Sequence, residues 1–121
     1  MTKTETETVT IIINEAAYGK ERAWNALRLA MAMMTKGVKV NIFLLEDGVT
    51  VAKREQRPPE GYYNLEKMLA QLIQNGARVR ACTTCLQARG LNRDDLVLGA
   101  EAGKLLDLVE WVRESRSVLS F

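Results

Sequence analysis

Short β-branched runs alternate with stretches of helical periodicity, and this alternation restricts the fold more than any other feature. Val9 to Ile13 reads V-T-I-I-I, the pattern of a strand buried on both faces of a sheet. Val38 to Leu45 (V-K-V-N-I-F-L-L) and Ala77 to Ala81 (A-R-V-R-A) predict two more strands. A helix is expected from about Lys20 to Lys36, with Trp24, Leu27, Met31 and Met34 on its inner face and Gly37 placed to end it. A short helix is expected from Val49 to Gln56. Two prolines make Arg57 to Gly61 a loop. Asn64 to Asn75 is again helical, with Leu65, Met68, Leu69, Leu72 and Ile73 inward. Cys82 to Gly90 suits one or two helical turns, and Val97-Leu98 a very short fourth strand. Ala102 to Glu114 is expected to be a helix with Leu105, Leu108, Val109 and Val112 inward, and Ser117 to Phe121 the last strand.

Strands that alternate with helices form a parallel sheet with helices on both faces and right-handed crossovers. The expectation is an α/β chain folded as a three-layer, flavodoxin-like domain with about five mostly parallel strands. The 121 residues suit one domain, over residues 8–121. The Thr/Glu alternation of residues 1–7 is expected to fray.

The charge balance narrows the partners. Seventeen Lys and Arg against fifteen Asp and Glu leave a formal charge of +2, too little for a nucleic-acid-binding face. The longest apolar run, around Ile42 to Leu45, is strand-sized, so no membrane span is expected. The polar N-terminus lacks the apolar region of a signal peptide, which points to the cytoplasm. Histidine is absent, removing the commonest general base and the commonest metal ligand. Acid–base work at neutral pH then falls to Cys, Lys, Tyr or a shifted carboxylate.

In open parallel sheets, ligands bind beyond the carboxyl ends of the strands. Three loops fall there: Asn14 to Gly19, Glu46 to Gly48, and Cys82 onward. Cys82 directly follows the third predicted strand, at the start of a helical segment whose unpaired N–H groups favour a thiolate. Arg80 and Arg89 can add positive charge. The plainer reading makes Cys82 a small buried residue at a strand end, and Cys85 a packing residue one turn further on. Cys82-Thr83-Thr84-Cys85 also fits a thiol–disulfide motif, but it lacks the usual Gly-Pro between the cysteines. One Cys pair without His supplies only two of the four ligands a zinc site needs. Gly19 alone follows the first strand, so no phosphate-binding fingerprint is present. No metal or cofactor is expected. Glu15 and Tyr18 lie on the ligand edge as candidate supporting residues.

Five stretches together carry a family resemblance: Asn14 to Glu21 (N-E-A-A-Y-G-K-E), Leu44 to Thr50 (L-L-E-D-G-V-T), Gln56 to Leu69, Cys82 to Gly90 (C-T-T-C-L-Q-A-R-G) and Val118 to Phe121. In order and spacing the chain resembles the DsrE-like family, most of all its YchN type, with TusD-type sulfur-relay subunits as relations. The resemblance implies a parallel sheet and assembly into homo-trimers or hexamers. It also implies a cysteine that accepts sulfane sulfur as a persulfide from a donor protein and passes it to an acceptor. In the relay members that cysteine lies eight residues before the Gly of an Arg-Gly pair. Counting back from Gly90 gives Cys82. The N–H groups of Thr84 and Cys85 would hold the persulfide anion, with Arg89 in support, and Cys85 would act as a second thiol.

Overall fold

A computed structural model describes residues 6–121. The expected frayed segment therefore lies outside the described residues for positions 1–5. Glu7 is tied in, because its carbonyl accepts the Lys39 N–H at 2.8 Å and its carboxylate pairs with Arg116.

One five-stranded sheet organises the chain. Its strands are β1 (Thr8–Ile13), β2 (Lys39–Leu44), β3 (Arg78–Cys82), β4 (Ala100–Gly103) and β5 (Ser117–Ser120). The order across the sheet is β4-β3-β2-β1-β5, and every neighbouring pair is parallel. The chain steps in one direction from β1 to β4, through α1 (Arg22–Met34), α2 (Leu65–Gln74) and α3 (Thr83–Ala88). It then crosses back to β5 through α4 (Leu105–Glu114). With right-handed crossovers, that reversal puts α4 on the opposite face from α1 and α2.

Period-two alternation in the strands sorts residues to the two faces. Phe43 of β2 meets Trp111 of α4 edge-on, with ring centroids 5.9 Å apart. Arg78 and Arg80 of β3 lay their guanidinium groups over the same indole at 5.2 and 4.9 Å. The alternate residues Val40, Ile42, Leu44, Val79 and Ala81 are buried against the other helical layer. The expected three-layer α/β fold is the observed one.

The inner face of α1 differs from its expected one. Ala23, Ala26, Leu27 and Ala30 are buried, and of the four residues expected inward only Leu27 is among them. Alanines let the helix axis approach the sheet, while the bulkier Trp24 turns aside to stack on Tyr63 at 4.6 Å. Met31 and Met34 are half-buried.

The last third of the chain carries the largest corrections. The fourth strand is Ala100–Gly103, not Val97-Leu98. Val97 is buried, and its N–H binds Ala52 O at 2.8 Å, while Leu98 is 93 % exposed. Gly99, at φ +96°, turns the chain into the strand. α4 begins at Leu105, three residues later than expected. It buries Leu108 and Trp111, whereas Leu105, Val109 and Val112 face outward. The indole sets the helix rotation, because it covers far more apolar area than any valine.

Between β2 and α2 the expected helix from Val49 to Gln56 is a 3₁₀ turn over Glu46–Ala52. A Cβ built on Gly48 would lie 2.0 Å from Ile13 O, so only glycine lets this turn lie against the end of β1. Val49 and Val51 are wholly buried. Gln56 closes the segment, its side-chain amide donating to Val51 O and Lys53 O at 2.9 Å each.

Candidate functional site

Cys82 closes β3 and caps α3. Its backbone is still extended, at φ −57° and ψ 123°, and the helix starts at the next residue. This geometry turns the thiol back over the first turn. Sγ accepts the Cys85 N–H at 3.4 Å and lies 3.2 Å from the Thr84 hydroxyl. Thr83 leans the other way, donating to Gly103 O on β4 at 3.0 Å. Cys82 is buried at 6 % exposure, and Cys85 is half-buried.

The two thiols are driven apart in acidity. Burial pushes the Cys82 thiol up, but hydrogen bonds from the Cys85 side chain, the Thr84 hydroxyl and the backbone N–H groups of both residues outweigh it. The result is a Cys82 thiol below its ordinary value. Burial also pushes Cys85 up, and its hydrogen bond to the Cys82 sulfur pushes it further. The Glu46 N–H and the Arg89 charge offset this only in part, so Cys85 stays above its ordinary value.

That split sets a pH dependence. Thiolate is the nucleophile, so alkylation of each cysteine rises with pH and levels off above its own pKa. Site-resolved alkylation followed by mass spectrometry should show Cys82 reaching half its plateau at a lower pH than Cys85. Equal midpoints for the two would contradict this arrangement.

The turn after β2 completes the site. The Glu46 N–H donates to Cys85 Sγ at 3.1 Å. Arg89 donates to Asp47 Oδ1 through Nε at 3.1 Å and Nη2 at 2.8 Å, and through Nη1 to Cys85 O at 3.0 Å. Thus Thr84 and Cys85 touch Cys82, while Arg89 reaches Cys85 and Asp47. Arg80 is engaged elsewhere, paired with Glu101 and Asp107 and lying over Trp111. Glu15 and Tyr18 also have other partners. Glu15 faces Arg22 at 3.9 Å. Tyr18 donates to Gln56 Oε1 at 2.5 Å and accepts the Leu65 N–H at 3.1 Å. Glu46 and Asp47 are site residues that sequence reasoning passed over, although the Glu-Asp-Gly turn at a strand's carboxyl end marked the place.

The model of the DsrE/DsrF-like family matches residues 7–121. The chain belongs to this family. It is 50% identical over 112 residues to an uncharacterised protein of Methanocaldococcus jannaschii, covering 93% of this chain and 97% of that one. The crystal structure of the YchN protein from Escherichia coli superposes with a TM-score of 0.90 at 36% identity, covering 96% of this chain and all of the other. A sulfurtransferase TusD homologue of Vibrio vulnificus is 31% identical over 84 residues, which is 68% of this chain and 64% of that protein. This relative, named a sulfurtransferase homologue, is thus more distant than the other two. No helix among the described residues is long and apolar enough to cross a membrane.

Proposed function

We propose that this protein is a sulfur-relay carrier that holds sulfane sulfur as a persulfide on Cys82. The observation that carries the reading is a thiol at the carboxyl edge of a parallel sheet that accepts the Cys85 N–H and lies within hydrogen-bond distance of the Thr84 hydroxyl, which can donate to a thiolate there. These donors favour a negatively charged sulfur, and a persulfide anion is one. Membership of a family with sulfurtransferase-named relatives supports the same chemistry.

The Cys82 thiolate attacks the outer sulfur of a donor protein's persulfide. A new S–S bond forms to Cys82, the donor S–S bond breaks, and the donor leaves as a thiolate. An acceptor thiolate then attacks the outer sulfur and releases the Cys82 thiolate. Neither step needs a general base, which suits a chain without histidine. Cys85 offers a second outcome. It attacks the inner sulfur of Cys82–S–S⁻, passes its proton to the departing sulfide, and leaves a Cys82–Cys85 disulfide with HS⁻. Intact-mass spectrometry after exposure to a small persulfide donor tests the reading through the mass of one added sulfur. Ready cycling between dithiol and disulfide without any sulfur adduct would favour a redox protein. No adduct and no cycling would favour an oligomeric accessory protein.

Cytoplasmic residence and a homo-oligomeric state, trimer or hexamer, belong to the same reading. The exposed Leu105, Leu106, Val109 and Val112 along α4 are the candidates for the contact surface. Light scattering should give a mass several times 13.6 kDa across the micromolar range, and a monomer throughout would rule assembly out.

A further inference from the structure

We infer that the Asp47–Arg89 ion pair positions the second thiol, so that Asp47 and Arg89 set the reactivity of Cys82 through the Glu46 backbone and Cys85. The inference rests on Cys82 being the working thiol, and it adds residues and a mode of action to that reading.

Glu46 stands between two anchored neighbours. Leu45 is fixed to β1 through its N–H on Ile13 O at 2.9 Å. Asp47 is fixed twice: its carboxylate takes two bonds from Arg89, and its carbonyl takes the Thr50 hydroxyl at 2.7 Å. Spanning these anchors puts Glu46 at φ +53°, a left-handed conformation that side chains other than glycine rarely adopt. The peptide N–H held in that strained link is the one that points at Cys85 Sγ. Arg89 also grips the other end of the same residue at Cys85 O. One guanidinium therefore ties the turn after β2 to the backbone of α3, with Cys85 between them.

The Glu46 bond fixes where the Cys85 sulfur lies, and Arg89 fixes the same residue at its carbonyl. Cys85 is thereby held with its N–H on Cys82 Sγ at 3.4 Å, while burial and its bond to Cys82 outweigh the Glu46 N–H and keep its own thiol above the ordinary value. The other charged groups near the pair are Glu46 itself, Lys104 just past Gly103 on the neighbouring strand, and Arg80, which is held by Glu101 and Asp107. None of these charged side chains has a hydrogen bond or ion pair that joins the turn to α3.

The test is the pH midpoint of Cys82 alkylation in the otherwise intact chain. Asp47→Asn and Arg89→Gln should each move it upward and slow Cys82 alkylation at pH 7 by about three- to tenfold, since the thiolate fraction falls tenfold per unit of pKa. Arg89→Lys keeps the charge but lacks the fork that reaches both Asp47 and Cys85 O, so it should slow the reaction as Gln does. If Lys restores native behaviour, bulk charge acts and positioning does not. Combining Asp47→Asn with Arg89→Gln should be no worse than either alone. Cys85→Ser keeps an acceptor for Glu46 and a donor for Cys82, so it should hold the low midpoint that Cys85→Ala loses. Unmoved midpoints in Asp47→Asn and Arg89→Gln, with circular dichroism showing both folded, overturn the inference. Alkylation needs no sulfur donor, so failure of persulfide loading with shifted midpoints would sink the relay reading alone.

Discussion

Cys82→Ser should hold no added sulfur under conditions in which the native chain gains about 32 Da, the mass of one sulfur atom per persulfide. The loss should be complete, because Cys85 is a poor substitute. Burial pushes its thiol up whether or not Cys82 is present, which disfavours a thiolate there. It also lacks the set of donors that Thr84 and the Cys85 N–H aim at Cys82. Cys85→Ser should load as readily as the native chain and keep the adduct longer, since the only thiol placed to expel sulfide has gone. A Cys82→Ser protein that still gains one sulfur, while Cys85→Ser gains none, would move the working thiol to Cys85. Failure of the native chain and of Cys85→Ser with several donors would remove the relay mechanism altogether.

The sequence displayed those parts of the fold that rest on side-chain pattern. β1 and β2 are β-branched runs bounded by turn residues, and α2 has five apolar residues on one stripe, so all three lie close to where periodicity puts them. β4 is A-E-A-G, with no residue of high strand propensity. It is a strand because it pairs with the edge of β3 in register, Cys82 opposite Gly103, and such pairing leaves no local signature. The site divides in the same way. Cys82, Thr84, Cys85 and Arg89 fall within eight successive positions, and their spacing along a short helix and its two caps was readable. Asp47 and Glu46 sit about forty positions away and act through a backbone N–H and an ion pair. An N–H carries no residue label, and Glu-Asp-Gly after a strand reads equally well as an ordinary solvated turn. Tyr18, a polar aromatic on the ligand edge, ties Gln56 and α2 to the loop after β1, partners that lie too far along the chain to be read from its own neighbours.

Trp111→Ala should cost about 3–5 kcal/mol of unfolding free energy, the range for removing a large buried aromatic. The indole is 2 % exposed and is the largest fully buried side chain among the described residues. With Leu108 it makes up the buried face of α4. Phe43 meets its edge and two guanidinium groups cover its face, so truncation opens a cavity that polar side chains line. Arg80 would keep Glu101 and Asp107 at 3.8 and 3.9 Å, so its charge is not orphaned and the loss is mainly of packing. The check is a urea titration in which the midpoint falls at unchanged slope. Leu106→Ala, on the outer side of the same helix at 74 % exposure, should change stability by less than about 0.5 kcal/mol in the dissociated chain. The contrast also separates fold from site. Trp111 makes no hydrogen bond to the thiol cluster, so folded Trp111→Ala protein should keep the native Cys82 alkylation midpoint, whereas Asp47→Asn should shift that midpoint with little loss of stability. A Trp111→Ala cost under about 1 kcal/mol would mean that α4 is not held to the sheet by its indole.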